Sequence, residues 1–146
     1  MKAEAPILLL VEEDELLADI TAFRLELLGY TALCMRSAKD ALQRLAQDPL
    51  PSILIVDTTL PDINGLELIE KLNAEERTHN IPIIALSVEA DLDWVQRAHR
   101  AGAKDCLILP CDPAVLEQKV EKMVAKVVAA EKEETKGTKS KKAANN

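Results

Sequence analysis

The chain has 146 residues, 48% of them hydrophobic, which suits one domain with a sizeable core. A formal net charge of −7 speaks against nucleic acid, whose phosphates reward basic surfaces, and leaves room for a cation site in a cytoplasmic protein. No signal peptide is read at the start, where Ile7 to Val11 is too short for an apolar h-region, and no run approaches a membrane span.

The first apolar run, Ile7–Val11, reads as a buried strand that ends in Glu12 and Glu13. A helix over Glu15–Leu28 follows, with Gly29 placed as its C-terminal cap. Tyr30–Met35 is a weaker strand, suited to an edge, and Phe23 and Tyr30 read as core or edge packing. Ser37 is an N-cap for a helix to Gln47, and Asp48-Pro49-Leu50-Pro51 breaks the chain. The third strand, Ser52–Asp57, carries a carboxylate at its end, followed by Leu60-Pro61-Asp62-Ile63-Asn64-Gly65 and a helix over Gly65–Asn73. A fourth strand, Ile81–Ser87, precedes a helix over Asp91–Ala101 that Gly102 caps. The fifth strand, Asp105–Leu109, leads to Asp112 as N-cap, Pro113 at the first helical position, and a helix to about Ala130.

Glu131 onward holds no large apolar residue and reads as a disordered, solvated tail, which divides the chain into a folded domain at 1–130 and a tail at 131–146. Cys34, Cys106 and Cys111 are an odd, sparse set, read as free thiols in a reducing compartment. Their spacing does not match a zinc site. His79 and His99 show no phosphotransfer or metal pattern.

Near-continuous Ile, Leu and Val in the strands mark a parallel sheet covered on both faces. The βα alternation predicts a doubly wound α/β domain with function outside the carboxyl ends of the strands. Glu12, Glu13, Asp57, Ser87 and Leu109 all fall there. Each also has a plainer reading, because a carboxylate or a serine at a strand end can simply cap the next turn.

Four segments in order resemble the receiver domain of bacterial response regulators. They are Ile-Leu-Leu-Leu-Val-Glu-Glu-Asp-Glu, Ile-Leu-Ile-Val-Asp-Thr-Thr-Leu-Pro-Asp-Ile-Asn-Gly, Pro-Ile-Ile-Ala-Leu-Ser and Ala-Gly-Ala-Lys-Asp-Cys-Leu-Ile-Leu-Pro. The likeness covers roughly residues 6 to 128. It implies a flavodoxin-like (βα)5 fold with strand order 2-1-3-4-5. It implies that Asp57 is the phosphoryl acceptor, that Glu12, Glu13, Asp57 and the Thr59 backbone carbonyl hold Mg²⁺, and that Ser87 is the switch hydroxyl. It implies a histidine kinase or phosphotransfer protein as donor, and docking of a downstream protein on the face of the fourth helix, fifth strand and fifth helix. Late apolar residues Val127 and Val128 would serve a partner or a second copy there. No catalysis is expected beyond self-phosphotransfer and autodephosphorylation.

The pattern is broken in four places. The family's lysine falls on Leu109, and Lys104, at the far end of the same strand, is about 16 Å away at about 3.3 Å per residue. Glu13 stands where Asp is usual. Val88 follows Ser87 where Ala or Gly is preferred, and Cys106 replaces the aromatic switch residue. The leading expectation is therefore an atypical, stand-alone receiver domain that acts by docking. The rivals are a pseudo-receiver that works without phosphorylation and, more remotely, a flavodoxin-like enzyme or nucleotide binder. The last is opposed by the absence of a Gly-rich phosphate loop after the first strand.

Overall fold

The computed structural model describes residues 4–89 and 91–144, with side chains among them as far as Glu133. Five strands, β1 Ile7–Val11, β2 Thr31–Met35, β3 Ile53–Asp57, β4 Ile83–Ser87 and β5 Asp105–Ile108, alternate with five helices. The helices are α1 Glu15–Leu27, α2 Ala38–Leu45, α3 Gly65–Ala74, α4 Leu92–Ala101 and α5 Pro113–Ala144. All strand pairs are parallel, in the order β2-β1-β3-β4-β5. This is the doubly wound architecture and strand order that the sequence resemblance implied.

The apolar runs are continuous because each central strand is covered twice, and alternate residues feed opposite layers. Leu8, Leu10, Ile53, Ile55, Ile84 and Leu86 pack under α1 and α5, with Ala18, Leu25, Leu116 and Val120. Leu9, Val11, Leu54, Val56, Ile83 and Ala85 pack under α2, α3 and α4. Full burial of each such aliphatic side chain contributes about 1.5–3 kcal/mol before conformational entropy is counted. β2, at the edge, is only partly covered, as its weaker sequence predicted.

The starts of β2, β3 and β4 move inward by one or two residues relative to the sequence reading, while β1 and β5 start where it placed them. β4 begins at Ile83, after Pro82, which has no N–H to give to a ladder. β5 closes at Ile108, and Leu109 still donates its N–H to the Ser87 carbonyl at 2.7 Å. Ser37, Asn64 and Asp91 cap α2, α3 and α4 through their side chains. Gly29 and Gly102 take positive φ of 98° and 125° beyond α1 and α4, a region that favours glycine.

Two expectations about packing change. α5 continues to Ala144, past the predicted end near Ala130 and through most of the segment read as a disordered tail. Its Ala, Lys and Glu are good helix formers and can extend a docked helix without apolar contacts. Phe23 is exposed rather than packed in the core. α1 carries apolar residues on two opposite faces, so its periodicity does not reveal which side meets the sheet. Ala18 and Leu25 take that role.

Candidate functional site

The site lies at the carboxyl edge of the sheet. Val11 and Val56 are paired in register, so the next residues, Glu12 just beyond β1 and Asp57 at the end of β3, emerge side by side. Glu12 is 3% exposed. Its Oε1 accepts the Asp14 N–H at 3.1 Å, and its Oε2 has no hydrogen-bond donor. Burial, and then the neighbouring Asp57 carboxyl, push its pKa from 4.5 up to about 8. Two ionised carboxylates are both acceptors. Their contact becomes a hydrogen bond only if one keeps a proton, and otherwise Oε2 is left bare.

Asp57 is half-buried, and its Oδ1 accepts the Thr59 N–H at 2.8 Å. Thr58, next along, is buried and donates its hydroxyl to the Leu86 carbonyl at 3.0 Å. Ser87 ends β4 one position beyond the partner of Asp57, is buried, and accepts the Glu89 N–H on Oγ at 2.9 Å. Its own hydroxyl hydrogen has no fixed acceptor among these contacts.

The loop after β3 is held by close approach. A Cβ on Gly65 would lie 2.4 Å from the Asp57 carbonyl oxygen and 2.5 Å from Thr58 Cα. Only glycine lets α3 start directly against the strand that carries Asp57. Asp62 receives the Ala38 and Lys39 N–H groups, at 3.0 and 2.8 Å, which tie this loop to the start of α2. These donors hold its carboxyl below the usual range.

The neighbouring residues are engaged elsewhere or left in solvent. Glu13 is exposed, and among the described residues no group of three or more His, Cys, Asp or Glu side chains is placed to hold a metal. Its carbonyl accepts from Arg36 Nε at 2.8 Å. Asp14 caps α1 by accepting the Leu17 N–H. Val88 is mostly in solvent. Leu109 packs with the α1 and α5 layer, in a small cleft with Leu17, Ile20, Cys111 and Leu116. Lys104 is bonded through its N–H to Ile83 at the start of β4, the opposite end of the sheet.

Sequence reasoning missed Arg36, Asp62 as a cap, and a pocket of about 350 Å³ beside Thr58 that Thr59, Asn64, Glu89, Trp94 and Arg97 line. Trp94 is buried there with an indole N–H that lacks a partner. The cap of α2 by Asp62 spans 24 residues of sequence, so no local pattern signals it.

The family model described as response regulator receiver domain matches residues 8–121. The chain belongs to the response regulator receiver family. It is 32% identical over 115 residues to the chemotaxis protein CheY1 of Helicobacter pylori strain J99, covering 78% of this chain and 93% of that protein. Among solved structures it resembles the signal receiver domain of a signal transduction histidine kinase from Syntrophus aciditrophicus, with a TM-score of 0.78 and 28% identity over 84% of this chain and 92% of that one. A CheY-like receiver domain protein from Methanospirillum hungatei JF-1 gives 0.76 and 26% over 88% and 98%. The chain is thus a two-component signalling module rather than a conventional enzyme, of a family whose CheY-like members interact with kinases and downstream proteins. No helix among the described residues is long and apolar enough to cross a membrane.

Proposed function

We propose that this receiver accepts a phosphoryl group on Asp57 from a histidine kinase or phosphotransfer protein, and signals by docking to another protein in the cytoplasm. The observation that carries the reading is the Glu12–Asp57 carboxyl pair, with one oxygen left without a donor, beside the buried Ser87 hydroxyl. The receiver unit is residues 1–130, and residues 131–146 are an appendage to it.

The donor set fits Mg²⁺. That ion takes oxygen ligands and is usually held by one or two carboxylates with waters and phosphate oxygens. Glu12 and Asp57 would hold it, with the Thr59 carbonyl, and Glu13 at the solvent edge would add negative charge. When bound, the ion neutralises the phosphoryl oxygens so that an anionic nucleophile can approach them.

The Thr59 N–H holds Asp57 Oδ1, which leaves Oδ2 to attack phosphorus as the bond to the donor's leaving atom breaks. Ser87 then turns its hydroxyl hydrogen to a phosphoryl oxygen. Leu109 gives no cation where the family resemblance places a lysine. A charge-assisted hydrogen bond is worth about 1.5–3 kcal/mol, so the phosphorylated state is expected to be less populated than with lysine at that position. The docking surface for the downstream protein is the face of α4, β5 and α5. Its β5 and α5 side carries, at the start of β5, a groove of about 440 Å³ with Lys119, Lys122 and Lys126 around Met123 and Val127, lined also by Asn80, Pro82 and Lys104.

The test is intact mass after incubation with Mg²⁺ and a small-molecule phosphodonor. An adduct on the wild-type chain that Asp57→Asn abolishes supports the reading. A second reading, a pseudo-receiver that docks without phosphorylation, is favoured by the apolar packing of Leu109. Absence of the adduct with both the small donor and a cognate kinase would select it.

A further inference from the structure

Ten large hydrophobic side chains are exposed among the described residues, and six of them sit on α1 and its C-cap. Leu16 is 69% exposed, Ile20 48%, Phe23 62% and Leu27 71%, with Leu17 and Leu28 beside them. A helix that docks on a sheet normally turns polar residues outward, as α4 does with Asp93 and Arg97. α1 uses Ala18 and Leu25 against the sheet and shows most of its large apolar side chains to water.

Leu16, Ile20, Phe23 and Leu27 are spaced by four, three and four residues. That is the a/d seam of a helix that packs on another helix. The spacing reads the same in both directions. An antiparallel second copy would set Leu16 against the partner's Leu27 and Ile20 against the partner's Phe23, with twofold symmetry and no unmatched position. The four side chains expose on the order of 500 Å², near the upper end for the largest patch on a monomer. Two such faces would bury about 1,000 Å², the lower bound for a specific interface.

We propose that α1 is a self-association surface, on which two copies of this chain pair antiparallel through the Leu16, Ile20, Phe23 and Leu27 seam. It is separate from the α4, β5 and α5 face and holds whether or not Asp57 accepts a phosphoryl group.

The charges beside the seam set the character of the pair. At about 100° per residue, Glu15, Asp19 and Glu26 fall along one edge, while Arg24 lies on the other and is committed to Glu117 on α5. A twofold axis brings like edges together, so Asp19 meets the partner's Glu26 twice. Exposed like-charge pairs are weak and salt-screened, whereas the seam is a continuous apolar surface. The association is therefore weak at low salt and tightens several-fold as salt is added.

Sedimentation equilibrium of the full chain from about 10 μM to about 1 mM, at low and high salt, tests this. The expected result is a rise from the monomer mass towards twice that mass, more readily at high salt. Phe23→Glu, at an exposed position, should weaken pairing at least tenfold with an unchanged circular dichroism spectrum. Val128→Glu, on α5, should leave it unchanged. Asp19→Lys, which faces the partner's Glu26, should tighten it several-fold at low salt. The proposal is overturned by a chain that stays monomeric to about 1 mM, as it would if α1 served only a basic helix of another protein. It is equally overturned by assembly beyond two copies, by pairing insensitive to Phe23→Glu or lost in Val128→Glu, or by Asp19→Lys weakening it.

Discussion

Glu12 and Asp62 are both carboxylates in the loops that leave the carboxyl edge of the sheet, and their surroundings are opposite. Glu12 is buried against another carboxyl with one oxygen lacking a donor, and its pKa rises to about 8. Asp62 is exposed and holds two backbone N–H groups of α2, and its pKa falls. The fold thus spends stability to bury one acid and gains it from the other. The contrast separates a carboxylate arranged for a ligand from one arranged for the chain.

The largest break in that contrast is Glu12→Gln. The folded pKa of Glu12 is raised, so the native state keeps a proton that the unfolded chain releases above about 4.5. With a chelator present, wild-type stability should fall as pH rises from about 4.5 to about 8. Glu12→Gln removes the charge and offers an N–H to Asp57. It should be more stable than wild type at pH 8 by up to a few kcal/mol and show a flatter profile, measured by urea unfolding. Added Mg²⁺ should restore the wild-type protein at pH 8 and do little for the variant.

Gly65→Ala comes next. The new methyl meets the Asp57 carbonyl and Thr58 Cα, both backbone atoms that cannot swing away. A loss of about 1–3 kcal/mol is expected, against a gain under about 1 kcal/mol from the stiffer unfolded chain. The displaced loop should loosen the Asp62 cap while the pH profile from Glu12 persists.

Asp62→Ala should have the smallest effect, a fall of a few degrees in Tm at neutral pH. Its pH dependence runs opposite to that of Glu12. A lowered folded pKa gives stability that is present above the ordinary 3.8 and is lost as pH drops through the folded value. Wild type and variant should therefore converge in acid.

The architecture was legible because β1, β3 and β4 are apolar on both faces and end in polar residues. That pattern by itself puts Glu12, Asp57 and Ser87 at one edge. What stayed hidden depends on contacts between distant segments. Asp14 and Asp62 lie beside the site acids in sequence and are helix caps in space. Arg36 holds the Glu13 carbonyl from the end of another strand. The outward face of α1 is not legible in sequence because apolar residues on two opposite faces give no phase to its burial.

Gly65 has a consequence for how such chains are inherited. Its lack of a side chain is demanded by the backbone of Asp57 and Thr58, not by the Asp57 carboxylate. A descendant that exchanged the carboxylate for another group would still need the glycine to keep α3 seated. The Asn-Gly step is then a record of the scaffold, and its survival in a relative is no testimony that phosphoryl chemistry survives there.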